Sequence, residues 1–478
     1  MPGRRGHALI VVGSSGRYDA RAHRIASTLT ARGHAVTIVA RATADAPGDE
    51  LLPDGTSVLR VPVSPVDGLP LPDVVRRPLA TAWAGRPRRA VTLPGGGPGV
   101  TPGVGARPVD GAAALGGPAV PAPAAPGRAA AVRRAIAGLV RILAVILAVR
   151  SQVRGARRRV RDLDPPPDVV LGLGFMGLPV ALGVVDALPA SSSGASVRPP
   201  IVYDASDIYV DAGNIARLPR PIRAAFARIE RRWTRRAAAV TTANDGYAGV
   251  IAARSGIRRP IVLLNCPPMA EPLPGAHPLR AALGADGERP LVLYHGGISA
   301  DRGIEQLVEA VGLLGDRRPA PLLVVMGYGA LEPMLRARIA AERLDASVRL
   351  LPPVAQDVLV QWIADADVAA MPIQPTTLNH RLTIPNKLFE AMAAGVPVVA
   401  SDLPGMAPIV RSTGCGLLVD PMSPPAIADA IRQILEASPG EREAWREAGR
   451  RAVRERYSWE REAPKLLAVL AELTGQPW

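Results

Sequence analysis

Lysine is nearly missing from this chain of 478 residues: of its 57 basic residues only Lys387 and Lys465 are lysine, and the rest are arginine. Alanine, glycine and proline abound, the bias of a GC-rich coding sequence, so a retained lysine stands out as a position to examine. Aromatic residues make up only 3%. The cores must therefore be aliphatic, and little material exists for stacking on bases. The formal charge of +15 thus points to an anionic membrane surface or phosphorylated substrates, not to nucleic acid. Cysteine is scarce too. Cys266 and Cys415 form no CxxC pair and no metal-ligand spacing, which fits inert thiols in a reducing cytoplasm. No uncharged apolar run reaches the roughly 18 residues of a membrane span. Arg4 and Arg5 before Ala8–Val12 imitate a signal peptide, but that run is too short and reads as a first strand.

What is present suffices for burial: 48% hydrophobic residues and a mean hydropathy of +0.15. The length predicts two large domains. Strand 8–12, a glycine turn, a helix over 19–32 and strand 35–40 make one βαβ unit. From 85 to 128, 20 of 44 residues are Pro or Gly, which predicts a disordered insertion. Residues 128–161 carry ten arginines and no acid, with Val132, Ile136, Leu139, Leu143 and Ile146 at helical spacing. Such a basic amphipathic helix either lies on anionic lipid or packs its stripe on a sheet. A serine-rich loop is expected over 188–197, a short strand over 200–203 and an arginine-rich helix over 216–239. Strand 261–264 precedes a proline-rich linker over 266–290. Beyond it, strands at 291–295, 322–326, 348–351, 368–371, 398–400 and 416–419 alternate with helices, as in a parallel doubly wound sheet.

Chemistry is concentrated where those strands end. Tyr294-His295-Gly296-Gly297 leaves a strand and Asp301-Arg302-Gly303 enters a helix, in the crevice where open α/β sheets hold ligands. Arg302 there could grip a phosphate, although an isolated arginine reads equally well as surface. Gly327-Tyr328-Gly329 is a second glycine turn, open either to a nucleotide or simply tight. In IPNKLFEAMAAGVPVVAS (384–401), Lys387 and Glu390 share one helix face. One cation for a diphosphate and one carboxylate for ribose hydroxyls would suit a nucleotide-sugar site.

YHGGISADRGIEQLVEA, VVMGYGALEPML, PNKLFEAMAAGVPVVASDLPG, GCGLLVDP and YSWE, in this order and spacing, resemble the signatures of glycosyltransferase family 4. The first half is similar at ARAHRIASTLTARGHAVTIVAR, PDVVLGLGFMGLPVAL and RPPIVYDASDIY. The resemblance implies an α/β GT-B fold, two Rossmann-like doubly wound domains facing a cleft. The acceptor side would be 1–265, the linker 266–290 and the donor side 291–455, with a C-terminal helix over 456–478 returning to the first domain. It implies a transferase using a nucleotide-diphosphate sugar, without metal or other cofactor and with retention, acting on a glycan, lipid-linked or small acceptor at the cytoplasmic face; an anionic membrane surface met through 132–161 is the expectation that the basic helix itself adds, if its stripe does not pack on the sheet. Arg302 and Lys387 would hold the diphosphate and Glu390 the ribose. Gly296, Gly297, Gly327, Tyr328 and Gly329 would line the donor pocket, faced by Gly13, Ser14, Ser15 and Gly16. Asp204, Ser206 and Asp207 would serve the acceptor. The chain departs from the pattern at Leu382 and Gly297, where a glutamate and an arginine are usual, and at Gly172–Phe175 and Ser206, where histidines are. These departures leave open a degenerate module that binds nucleotide or membrane without turnover; an epimerase on the same fold is the other alternative.

Overall fold

A computed structural model describes the chain except for residues 1–5, 18, 45, 65–127, 189–197, 214, 271, 274 and 285–287, and except for the side chains of 128–142 and 144. The insertion expected over 85–128 and the serine-rich loop thus lie almost wholly outside the described residues.

Two α/β sheets are present, as expected. The first contains β1 (His7–Val12), β2 (Ala35–Arg41), β3 (Glu50–Leu51), β4 (Ser57–Val61), β5 (Val169–Leu173), β6 (Ile201–Ala205), β7 (Ala239–Thr242) and β8 (Ile261–Val262). Their order is β3-β4-β2-β1-β5-β6-β7-β8, parallel except for β3 against β4. The second contains β9 (Leu291–Gly297), β10 (Leu322–Tyr328), β11 (Val348–Leu351), β12 (Val368–Met371), β13 (Val398–Ser401) and β14 (Gly416–Val419), in the order β11-β10-β9-β12-β13-β14. Central strands such as β1 and β5 are buried along their whole length, because helices cover both faces of a parallel sheet. The chain winds outward from β1 and from β9 in two directions, so the switch points lie between β1 and β5 and between β9 and β12. A crevice opens at the carboxyl ends of the strands at such a point.

Some boundaries differ from expectation. The helix expected over 216–239 runs only from Arg220 to Thr234; Pro219 and Pro221 fix its start, and Ala239–Thr242 pairs with β6 as β7. Half of the segment expected as a linker is folded onto the second domain. There Asp365 accepts the N–H groups of Leu279 (2.8 Å) and Arg280 (3.2 Å) at the start of helix Pro278–Leu283. Helix Trp459–Thr474 crosses back to the first domain, where Trp459, Leu466 and Leu470 join the cluster of β1 and helix Ala20–Thr30. The Trp459 indole N–H donates to Thr28 at 2.7 Å.

Candidate active site

Three elements converge at the β9/β12 switch. The end of β9 supplies Tyr294, His295 and Gly296. The loop after it supplies Arg302, and helix Asn386–Ala394 supplies Lys387 and Glu390. That helix is buried from Lys387 to Ala394, and in that stretch only these two residues are polar. Lys387 projects its ammonium over the Tyr294 ring, 3.7 Å from the centroid, where the ring's negative face attracts a cation. Burial, and next the charge of Arg302, push the Lys387 ammonium well below its ordinary range, with Glu390 opposing them. Glu390 accepts a hydrogen bond from His295 Nε2 at 3.0 Å. Burial alone would raise its carboxyl. The His295 bond and charge, with Arg24 and Lys387, outweigh burial and hold it below the usual carboxylate range.

Arg302 stands half-buried between Asp301, held at φ 67°, and Gly303, held at φ 73°. Gly303 is required there, because a Cβ would collide with the Pro372 carbonyl in the loop after β12. The two loops are also tied by the Gln374 N–H to the Asp301 carbonyl at 3.0 Å. The backbone that carries Arg302 is thereby fixed at the switch point.

The glycine turn at 327–329 owes its residues to packing. A Cβ on Gly327 would strike the Gly296 carbonyl and one on Gly329 the Ile298 carbonyl. The Ile298 N–H donates to the Tyr328 carbonyl at 2.9 Å. This turn therefore buttresses the Gly296–Gly297 loop, while the Tyr328 side chain stands at the rim, 44% exposed. In the first domain, the loop Gly13-Ser14-Ser15-Gly16 follows β1 at the matching switch. Gly13 lies against Met176, and a Cβ there would collide with that side chain. His23 Nε2 contacts the Gly16 carbonyl at 2.8 Å, and Ser14 is exposed.

The acceptor-side residues do not act as one group. Asp204 requires a correction: its carboxylate is 2% exposed and bound by Arg21 Nε and Nη2, both at 2.7 Å, and by the Thr241 hydroxyl at 2.6 Å. With both oxygens engaged it is a strut between helix Ala20–Thr30 and the sheet. Ser206 shares a hydrogen bond with the Tyr209 hydroxyl at 3.0 Å. Asp207 accepts from Asn379 Nδ2 at 2.9 Å. Burial raises its carboxyl, moderated by that bond and by Arg302. Arg302 thus acts electrostatically on groups of both domains.

Three neighbours of the candidate site could not be read from the sequence. His295 sits in the quoted YHGG stretch, but its partner Glu390 is 95 residues away. Arg24, on the first domain, acts by its charge on Glu390 while donating to Asn265 Oδ1 at 2.6 Å. Asn379 also accepts the Ile208 N–H at 2.8 Å, and its carbonyl accepts the Tyr247 hydroxyl at 3.0 Å. It ties the two domains beside the crevice.

Two α/β domains, each built on a largely parallel sheet wound outward from a switch point, define the class as GT-B architecture. Residues 277–452 match the family model described as "Glycosyl transferases group 1". A D-inositol 3-phosphate glycosyltransferase of Jonesia denitrificans is 32% identical over 197 residues, 40% of this chain and 45% of that protein. An alpha-D-kanosaminyltransferase of Streptomyces kanamyceticus is 28% identical over 158 residues, 33% of this chain and 39% of that protein. The chain thus spans less than half the length of these curated relatives. Over almost the whole chain the fold matches sucrose-phosphate synthase of Thermosynechococcus elongatus, with TM-score 0.67, 16% identity and coverage of 98% and 100%. It also matches Anabaena HepE in complex with UDP and glucose, with TM-score 0.61, 15% identity and the same coverage.

Proposed function

We propose that the chain is a glycosyltransferase of the family 4 kind, moving a sugar from a nucleotide-diphosphate donor to an acceptor with retention of configuration. The observation that carries this reading is the convergence of Arg302, Lys387 and the His295-held Glu390 at one switch point. When the bond from sugar to diphosphate breaks, negative charge accumulates on the leaving group and the sugar becomes cationic. Cations fixed beforehand, with their water already removed, stabilise that charge without reorganising, typically by a few kcal/mol per donor group. Arg302 offers a planar fork and Lys387 a point charge. Glu390, kept ionised by His295, accepts the two ribose hydroxyls and anchors the nucleotide equally in ground and transition states. No base from Asp204 enters this scheme; the departing phosphate takes the acceptor proton.

The acceptor is a glycan, a lipid-linked sugar or a small molecule, and a membrane-borne acceptor would require the chain to sit on anionic lipid through residues 132–161. Among the described residues no helix is long and apolar enough to cross a membrane. The test is a melting screen with UDP, GDP and their sugars, followed by transfer and hydrolysis assays with whichever stabilises. Stabilisation by one nucleotide with turnover of its sugar supports the reading. Binding with no turnover of any sugar in the panel would leave a module without catalysis.

A further inference from the structure

The helix Arg128–Val160 buries Ala148, Gln152, Ala156 and Val160 on the first domain, a stripe of every fourth residue. The apolar residues expected to pack do not all follow: Leu143 is 55% and Ile146 44% exposed. A second arginine-rich helix, Arg220–Thr234, lies on the same domain and exposes Ile229 at 41%. Between these helices and Gly174–Val185 runs a groove of about 500 Å³. Val149, Val153, Leu182 and Trp233 form its apolar floor, and Arg150, Arg154, Arg157 and Arg236 stand along it. Asp186 is its one acidic lining residue, and that carboxylate is already shared between Arg236 at 3.0 Å and Arg198 at 3.3 Å.

We propose that this face docks an anionic phospholipid bilayer, with the groove receiving one lipid: phosphate on the arginine rim, acyl chain along the valine, leucine and tryptophan floor. Charge complementarity selects this occupant. A soluble acidic partner would be met by the arginines but leaves the exposed Leu143, Ile146 and Ile229 without a role, whereas a headgroup boundary takes both kinds of surface at once. Arg150, Arg154 and Arg236 are exposed beside the apolar floor, and a long arginine side chain can lay its stem on apolar surface while its guanidinium meets a phosphate. The inference rests on the transferase reading only in supplying the surface on which a lipid-linked acceptor would lie.

The experiment is co-sedimentation of the full chain with phosphatidylcholine vesicles and with equimolar phosphatidylcholine and phosphatidylglycerol vesicles, at low and high salt. Nucleoside-diphosphate binding and melting are followed on the same samples. The wild type sediments with the mixed vesicles at low salt and not with the neutral ones. Arg150→Ser, Arg154→Ser and Arg236→Ser together weaken partition about 100-fold, since each arginine at an anionic surface contributes roughly a factor of five. Ile146→Asn with Ile229→Asn weakens it about tenfold or more. Both variants melt as wild type and keep nucleotide binding. The proposal is overturned if the mixed vesicles fail to bind, if neutral vesicles bind as well, or if either folded variant sediments like wild type. Retention on double-stranded DNA in place of vesicles would reassign the face to a polyanion and also overturn it. Failure of nucleotide binding alongside intact vesicle binding counts against the donor site alone.

Discussion

Lys387 carries more of this account than any other side chain. In a chain that writes its cations as arginine, a compact ammonium stands in a crowded pocket over Tyr294. Lys387→Ala is expected to lower kcat/KM by about 100-fold or more, the worth of one strong transition-state donor. Lys387→Arg should recover only part, because a planar fork does not fit the same space; steady-state kinetics checks both. Its lowered pKa also fixes a sign. Between the folded and the ordinary lysine values the unfolded chain binds more protons than the folded one, so this residue's contribution to stability rises with pH across that window. A diphosphate favours the ammonium and reverses the shift. At pH values between the free and the donor-bound lysine pKa, donor binding should then take up a proton and weaken as pH rises, visible by calorimetry in buffers of different ionisation enthalpy and abolished in Lys387→Arg. For Glu390→Gln the expectation is a larger rise in donor KM than fall in kcat, since ribose contacts persist into the transition state. An equal fall in kcat with unchanged KM would contradict the ribose role. At this scale the sequence showed residue types and missed partners. Lys387 and Glu390 were legible because helical spacing puts them on one face. The partner of Asp204 was not legible, because Arg21, which binds its carboxylate, is 183 residues distant and no local pattern announces it.

Elements read better than residues. Strands β11, β12 and β14 lie where alternation with helices placed them, because buried parallel strands are continuous aliphatic runs bounded by turn residues. The short β3 and β4 were not foreseen, and β7 was hidden in a helix expectation that ran on through alanines. The Gly327-Tyr328-Gly329 turn illustrates what spacing cannot decide. It looked equally like a nucleotide cradle or a tight turn, and the carbonyls of Gly296 and Ile298 against it give the packing cause. Gly327→Ala should therefore cost about 1–3 kcal/mol by overpacking, measured by urea unfolding, and should also weaken donor binding by displacing the Gly296 loop. Wild-type stability in that variant would mean the strands have room to part.

At the scale of the molecule, the domains are joined by more than a linker. Helix Trp459–Thr474 belongs to the end of the chain yet packs on its beginning, and Asn379 of the second domain satisfies Asp207 and the Ile208 N–H of the first. An Asn379→Ala change removes this donor from the half-buried Asp207 and leaves the buried Ile208 N–H unpaired, a loss of about 1–3 kcal/mol from the latter. Scanning calorimetry should show a lower melting temperature and a transition that begins to separate into two. An unchanged single transition would show that the junction is held elsewhere. The overall architecture was legible from repeated strand and helix alternation, whereas this clasp, linking residues 172 apart, could be seen only in three dimensions.

The central claim is that the β9/β12 switch point is a nucleotide-diphosphate site built on Lys387 and Glu390. Its most direct test is calorimetric titration of wild type, Lys387→Ala and Glu390→Gln with UDP and with GDP. Saturable one-site binding of one of the two to wild type is expected, with loss of at least about tenfold in affinity in each variant while each empty variant still unfolds in a cooperative transition. Binding that both folded variants retain in full, or no binding of either nucleotide to wild type, would contradict it.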